Sequence, residues 1–209
     1  MSILTRLSSP TRDRTEYHNR KAALECLEDP DLLEEIAEGL RSGNPALMAD
    51  CAEVLAMVAE DQPEWVAAYD RQIAELVRHP KTKVRWEAVH ALARIAQYAP
   101  ETVESLLPVL ADIIRADTSV IARDYAVQAV GNYAWTGREA AEKAYPVLVE
   151  ALTMWNGKQA HHALDGLAKA ADHLPERREE LLGFADRFAG NPRGVVRKAA
   201  RGLERVLGG

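Results

Sequence analysis

The stretch Val84-Arg85-Trp86-Glu87-Ala88-Val89-His90-Ala91-Leu92-Ala93-Arg94-Ile95-Ala96 decides how the rest of the chain is read. With Ala88 as a marker, equivalents fall at Cys51, Ala126, Ala163 and Ala199, at steps of 37, 38, 37 and 36 residues. Four residues after each marker stands a branched aliphatic: Leu55, Leu92, Val130, Leu167 or Leu203. Just before that aliphatic comes a small or slim residue: Val54, Ala91, Ala129, Gly166 or Gly202. Residues four apart share one face of a helix, so each unit carries one apolar helix stripe with a small contact point. A period of this length with an apolar helix per unit is the pattern of an α-solenoid.

The 209 residues suffice for one continuous repeat domain rather than two separate globules. Apolar residues make up 47% and charged residues 28%, the balance of a folded, water-exposed protein. The net charge of −6 gives no general attraction for phosphate backbones. The charge is uneven: residues 1–60 carry 6 basic and 12 acidic side chains, and residues 121–209 carry 13 and 11. Cys26 and Cys51 sit among Ala and Leu at helical spacing, which points to buried free thiols in a reducing compartment. The N-terminus lacks the apolar core of a signal peptide, and no run reaches the roughly 18 apolar residues of a membrane span. A cytoplasmic location away from the membrane is expected.

Turn and cap residues divide the chain. Residues 1–13 are polar and read as a flexible N-terminus. A capping helix is expected within 14–30, with Tyr17, Ala23, Leu24 and Leu27 inward, stopped at Asp29-Pro30. Repeats follow at about 31–61, 62–98, 99–136, 137–174 and 175–209, making a repeat domain of 31–209. Ser42-Gly43, His79-Pro80, Asp117-Thr118, Asn156-Gly157 and Asn191-Pro192 mark the turns inside the pairs. Asn44-Pro45 is an N-cap followed by proline at the first helical position. In the second repeat one helix is expected from Pro63 to Val77, with Trp65, Val66, Tyr69, Ile73 and Leu76 along it.

Pro108 and Pro146 lie inside the first helices of repeats three and four, 38 residues apart, and Gly183 falls near the same place in repeat five. A helix breaker at one fixed point implies a shared bend. The segments Leu-Leu-Pro-Val-Leu (106–110) and Ala-Tyr-Pro-Val-Leu (144–148), with Val84-Arg85 opening a second helix, resemble the HEAT repeat over about residues 31–207. That resemblance implies an all-α, right-handed α-solenoid (superhelix) of about five HEAT-like helix pairs with an N-terminal capping helix. It also implies that Arg85 and Arg123 pair with an acid of the turn, Asp117 being the candidate for Arg123. Met48 and Ala160 depart from this pattern where the arginines stand. HEAT repeats host many roles, so the resemblance names no activity.

In a solenoid the second helices line the concave wall, the usual binding surface. A turn of 100° per residue, with Ala88 and Leu92 buried, points Trp86 and His90 outward with Arg94 at the edge. The equivalents are Asp124, Gln128 and Trp135, flanked by Tyr125 and Asn132; then His161, Asp165 and Lys169; then Arg197 and Arg201. Aromatic and arginine side chains are the usual anchors of interfaces, which singles out Trp86 and Trp135. This wall fits a protein or peptide partner on the concave face.

Other chemistries find less support. His161, His162 and Asp165 cluster, but no His-Glu-x-x-His and no cysteine accompany them, so no metal is expected. No nucleophile motif, phosphate-binding glycine loop or paired catalytic carboxylate is visible, so neither a catalytic residue nor a cofactor is assigned. The expected function is a non-enzymatic protein- or peptide-binding scaffold. The runner-up is a DNA-binding or DNA-repair protein resembling HEAT-like alkylpurine DNA glycosylases, which carry an acid one turn after an aromatic; here His90 follows Trp86. A weaker third resemblance is to the HEAT-like bilin lyases. The sequence sets neither the partner nor the oligomeric state.

Overall fold

The computed structural model describes residues 2–12 and 15–208, and in these it is all helix, turn and loop. The chain forms two compact units, residues 1–102 and 103–209, with the boundary inside one helix. The first unit holds a 3₁₀ turn at Ile3–Arg6, then α1 (Tyr17–Glu28), α2 (Leu32–Gly39), α3 (Pro45–Asp61), α4 (Pro63–Ala67), α5 (Asp70–Ala74) and α6 (Thr82–Ile95). The boundary helix is α7 (Pro100–Ala116). The second unit continues with α8 (Val120–Ala134), α9 (Arg138–Ala151), the distorted turn α10 (Met154–Gly157), α11 (Ala160–Ala171), a 3₁₀ turn at Pro175–Arg177, α12 (Arg178–Ala189) and α13 (Gly194–Gly208).

The sequence pattern explains the packing. In the first unit α3 packs against α1, α2 and α6, and α6 also receives α4 and α5. In the second unit α8 packs on α9 and α11, and α13 packs on α11 and α12. The marker column is fully buried at Cys51, Ala88, Ala126 and Ala163, as are Leu55, Leu92, Val130 and Leu167 one turn later. Each such aliphatic contributes about 1.5–3 kcal/mol by leaving water. Small residues let the backbones approach: a Cβ on Gly131 would stand 2.7 Å from the Gly166 Cα, so α8 and α11 meet glycine to glycine. Pro108 and Pro146 lie inside α7 and α9.

The structure departs from the sequence expectations in the N-terminal segment, in α1 and in the second repeat. The N-terminal segment is not loose over its described residues: Ile3 and Leu7 are buried, and the Ser8 amide donates to Asn19 Oδ1 at 2.9 Å. The expectation for Met1 and Asp13 lies outside the described residues. Two aliphatic anchors and a buried polar contact outweigh the polar composition that suggested fraying. In α1 the buried face is Asn19, Ala22, Ala23 and Cys26, while Tyr17 and Leu24 are exposed. The buried hydrogen bonds of Asn19 set that rotation, which an apolar count overlooks. The helix expected from Pro63 to Val77 is broken at Tyr69 (φ −109°, ψ 17°). The Asp70 carboxylate takes the Arg71 amide at 2.6 Å and accepts the Thr102 hydroxyl, a local bond that competes with helix continuation.

Candidate functional site

In four of the five pairs the turn is built by one recurring device. A polar side chain accepts the amide two residues on: Ser42 from Asn44, His79 from Lys81, Asp117 from Ser119 and Asn191 from Arg193, at 2.8–3.4 Å. In three of these, Met48 standing at the place in the first repeat, an arginine six residues after the turn residue donates back to its carbonyl. Arg85 Nη1 reaches the His79 oxygen at 2.8 Å, Arg123 Nη1 reaches the Asp117 oxygen, and Arg197 Nη1 reaches the Asn191 oxygen at 2.8 Å. The acceptor shared by all three is a turn carbonyl. Orphan carbonyls after a helix find their donor here. In repeat four Ala160 stands at the arginine position, and the turn runs through positive φ at Trp155, Asn156 and Gly157. Its carbonyls at Gly157 and Lys158 are held instead by Arg193, at 3.0 and 2.8 Å.

This device corrects the register of the last repeat. Arg197 aligns with Arg85 and Arg123, so the marker there is Ala200 rather than Ala199, and the steps become 37, 38, 37 and 37. Arg197 is therefore a turn-binding residue and not an equivalent of Trp86. Two adjacent buried alanines, Ala199 and Ala200, made the one-residue slip invisible in the sequence.

In the first unit Trp86, His90 and Arg94 follow one another along α6. Arg94 is exposed and donates to Glu60 Oε1 at 2.8 Å, and its Nε donates to His90 Nε2 at 3.3 Å. Burial, and secondarily the Arg94 charge, pushes the His90 imidazole down to about 4, so it is neutral at pH 7. Trp86 is half-buried and lines an open pocket of about 370 Å³ with Asp50, Glu53, Lys83 and Glu87. Sequence reading passed over these acids. The available signal was a column: Asp50 and Glu87 each immediately precede a buried marker, 37 residues apart.

In the second unit Asp124, Tyr125, Gln128, Asn132 and Trp135 lie along α8 and its end, beside His161, Asp165 and Lys169 of α11. Three contacts join the two segments, two of them through Gln159 and His162. Gln159 Nε2 donates to Asp124 Oδ1 at 3.0 Å, Gln128 and His162 approach to 3.5 Å, and Lys169 Nζ donates to Asn132 Oδ1. Burial lowers the Lys169 ammonium and raises the Asp165 carboxyl from their ordinary values. Burial, with help from His161, takes His162 down to about 4, and the two ring centroids lie 3.8 Å apart with the planes tilted by 36°. Among the described residues no three His, Cys, Asp or Glu side chains are placed to hold a metal. Arg201 is exposed on α13.

An open groove of about 550 Å³ in this unit is bounded by Trp135, Asp165, Lys169, Asp172, Gly202 and Val206. Trp135 is 54% exposed and Val206 43%, an unusual outlay of apolar surface. The Trp135 carbonyl meets His173 Nε2 at 3.0 Å. Trp155 is used differently: its Nε1 donates to the Ile114 carbonyl at 2.8 Å, and the buried Arg123 guanidinium lies 4.0 Å from its ring centroid.

Solved structures share this arrangement of helices over nearly the whole chain. One is a designed armadillo repeat protein in complex with the peptide (KR)4, at a TM-score of 0.74 and 19% identity, covering 98% of each chain. The fold is an all-α helical-repeat solenoid. An engineered protein gives a TM-score of 0.74 at 21% identity over 99% of both chains. A third match, from computationally designed armadillo repeat proteins for modular peptide recognition, has a TM-score of 0.71 at 19% identity over 98% of each chain. No protein family matches the sequence, and no curated protein does. No helix of the described residues is long and apolar enough to cross a membrane.

Proposed function

We propose that the chain is a non-enzymatic scaffold that binds an extended peptide or protein segment on the wall of its second helices. The observation that carries this reading is Trp135. An indole 54% exposed stands at an open groove beside Val206, with Asp165, Lys169 and Asp172 supplying polar contacts at its edge. Apolar anchors ringed by polar groups are how interfaces concentrate binding energy. Designed repeat proteins of the same fold are described as recognising peptides, which supports the same use here. The mixed charge of the groove favours a peptide over a phosphate backbone, whose binding needs a continuous positive surface. HEAT-like repeats are the natural kind of solenoid on this reading, since Pro108 and Pro146 recur inside α7 and α9.

The test is selection of peptides from a displayed random library on the immobilised chain, followed by affinity measurement against Trp135→Ala. Loss of an interface anchor costs about 2 kcal/mol, or roughly thirtyfold in affinity. Selected peptides that bind Trp135→Ala and wild type equally well would remove the groove from the account.

A further inference from the structure

We infer that the first unit carries a binding site for a primary alkylammonium group, formed by Asp50, Glu53 and Glu87 beside Trp86. This goes beyond the Trp135 groove and does not depend on it. The four side chains line one open pocket of about 370 Å³. Two observations separate this pocket from an ordinary acidic surface. Its acidic side chains are withdrawn from water, with Asp50 3% and Glu87 1% exposed. Moreover Glu87 Oε1, fully buried, has no hydrogen-bond partner among the described residues. Buried polar atoms are almost always satisfied, so an orphan oxygen on a side chain that lines a cavity marks the place of a missing partner.

The neighbours define what that partner is. Asp50 Oδ2 takes the Ser9 amide at 2.6 Å, and Asn19 Nδ2 bridges Asp50 Oδ1 and Glu53 Oε2 at 3.1 and 3.0 Å. Lys83 Nζ lies 3.2 Å from Glu53 Oε2 and 3.8 Å from Asp50 Oδ1, with its side chain half exposed. One lysine thus faces the acidic side chains of Asp50, Glu53 and Glu87, while Glu16 at the rim is paired with Arg20 at 2.6 Å. The acceptors come from separate side chains on α3 and α6. That suits a compact ammonium with three diverging donors better than the flat fork of a guanidinium. The Trp86 ring offers the apolar and cation-attracting surface that an alkylammonium stem and head require.

Occupancy exchanges one cation for another. Burial, then Glu53 and more weakly Asp50 and Glu16, push the Glu87 carboxyl up to about 9 against the opposing pull of Lys83. His90 Nδ1, 3.8 Å from Glu87 Oε2, belongs to an imidazole that is neutral at pH 7 and adds no charge. Glu87 therefore holds a proton at neutral pH. An arriving ammonium takes its place, the Glu87 proton goes to solvent, and the carboxylate pairs with the ligand. Affinity accordingly rises about tenfold per pH unit between pH 7 and 9.

The experiment is isothermal titration of the full chain at pH 7, 8 and 9 with 1,5-diaminopentane and with hexalysine. Glu87→Gln, which keeps the shape of the side chain and removes its proton, serves as the comparison. The inference expects wild type to bind with the stated pH dependence, and Glu87→Gln to bind at least tenfold more weakly at pH 9 with a flat profile. Binding of hexalysine alone identifies a lysine-bearing chain as the ligand, and binding of the diamine identifies a free amine. No binding of either probe, or Glu87→Gln within twofold of wild type at pH 9, overturns the inference. Neither result touches peptide capture at Trp135.

Discussion

Arg197 Nη1 donates to the carbonyl of Asn191, 2.8 Å away and six residues earlier, repeating the step that joins Arg85 to His79 and Arg123 to Asp117. The three bonds tie the start of a second helix to the turn that precedes it. Arg123 does more, because it is buried and its guanidinium also rests on the Trp155 ring. Arg123→Ala should therefore cost about 3 kcal/mol, and Arg85→Ala or Arg197→Ala about 1 kcal/mol. Urea unfolding of the three variants checks this order, and equal losses would contradict the special role given to Trp155.

Stability should depend on pH through Glu87. Its carboxyl titrates near 9 in the folded chain against an ordinary value of 4.5. The folded state thus holds the extra proton between those values, and stability falls as pH rises through that window. The loss from pH 4.5 to 7.5 is at most about 4 kcal/mol. His90 works the other way: lowered to about 4 from 6.5, it removes stability as pH falls from 6.5 toward 4. Thermal melts from pH 5 to 9 should show a decline toward high pH in wild type that Glu87→Gln flattens.

The glycine contact between α8 and α11 should tolerate no side chain. A Cβ on Gly131 would meet the Gly166 Cα at 2.7 Å, backbone against backbone. Gly131→Ala should cost about 1–3 kcal/mol through separation of the helices. At Gly183, within α12, a Cβ meets nothing within 4 Å. Gly183→Ala should instead stabilise by about 0.5–1 kcal/mol. Denaturation midpoints of the two variants should move in opposite directions.

Cys26 and Cys51 are fully buried, and burial raises both thiols to about 12. Neither presents a thiolate to solvent at pH 8. Ellman's reagent should titrate neither in the native chain over minutes and both in concentrated urea. Rapid native labelling would contradict the packing around α1 and α3.

What could be read from the sequence divides along physical lines. Ala88 and Leu92, with their counterparts at 126 and 130 or 163 and 167, announced themselves because helix burial imposes a period on apolar residues. The same counting failed at Tyr17 and Leu24, where the buried hydrogen bonds of Asn19 set the helix rotation. It failed by one residue at Arg197, since Ala199 and Ala200 are both buried and only the Asn191 carbonyl distinguishes the registers. Rotation alone pointed Trp86, His90 and Trp135 outward; Trp135 is 54% exposed, while Trp86 and His90 are half-buried. Asp50 could not be picked out as part of a site, because its partners Ser9, Asn19 and Lys83 lie far from it in sequence.

The most direct test of the binding account is hydrogen–deuterium exchange on the full chain with and without a library-selected peptide. The account predicts slowed exchange in α11 and at the C-terminal end of α8 around Trp135, with α9 and α12 unchanged. Protection confined to α9 and α12, with α8 and α11 unaffected, would contradict it.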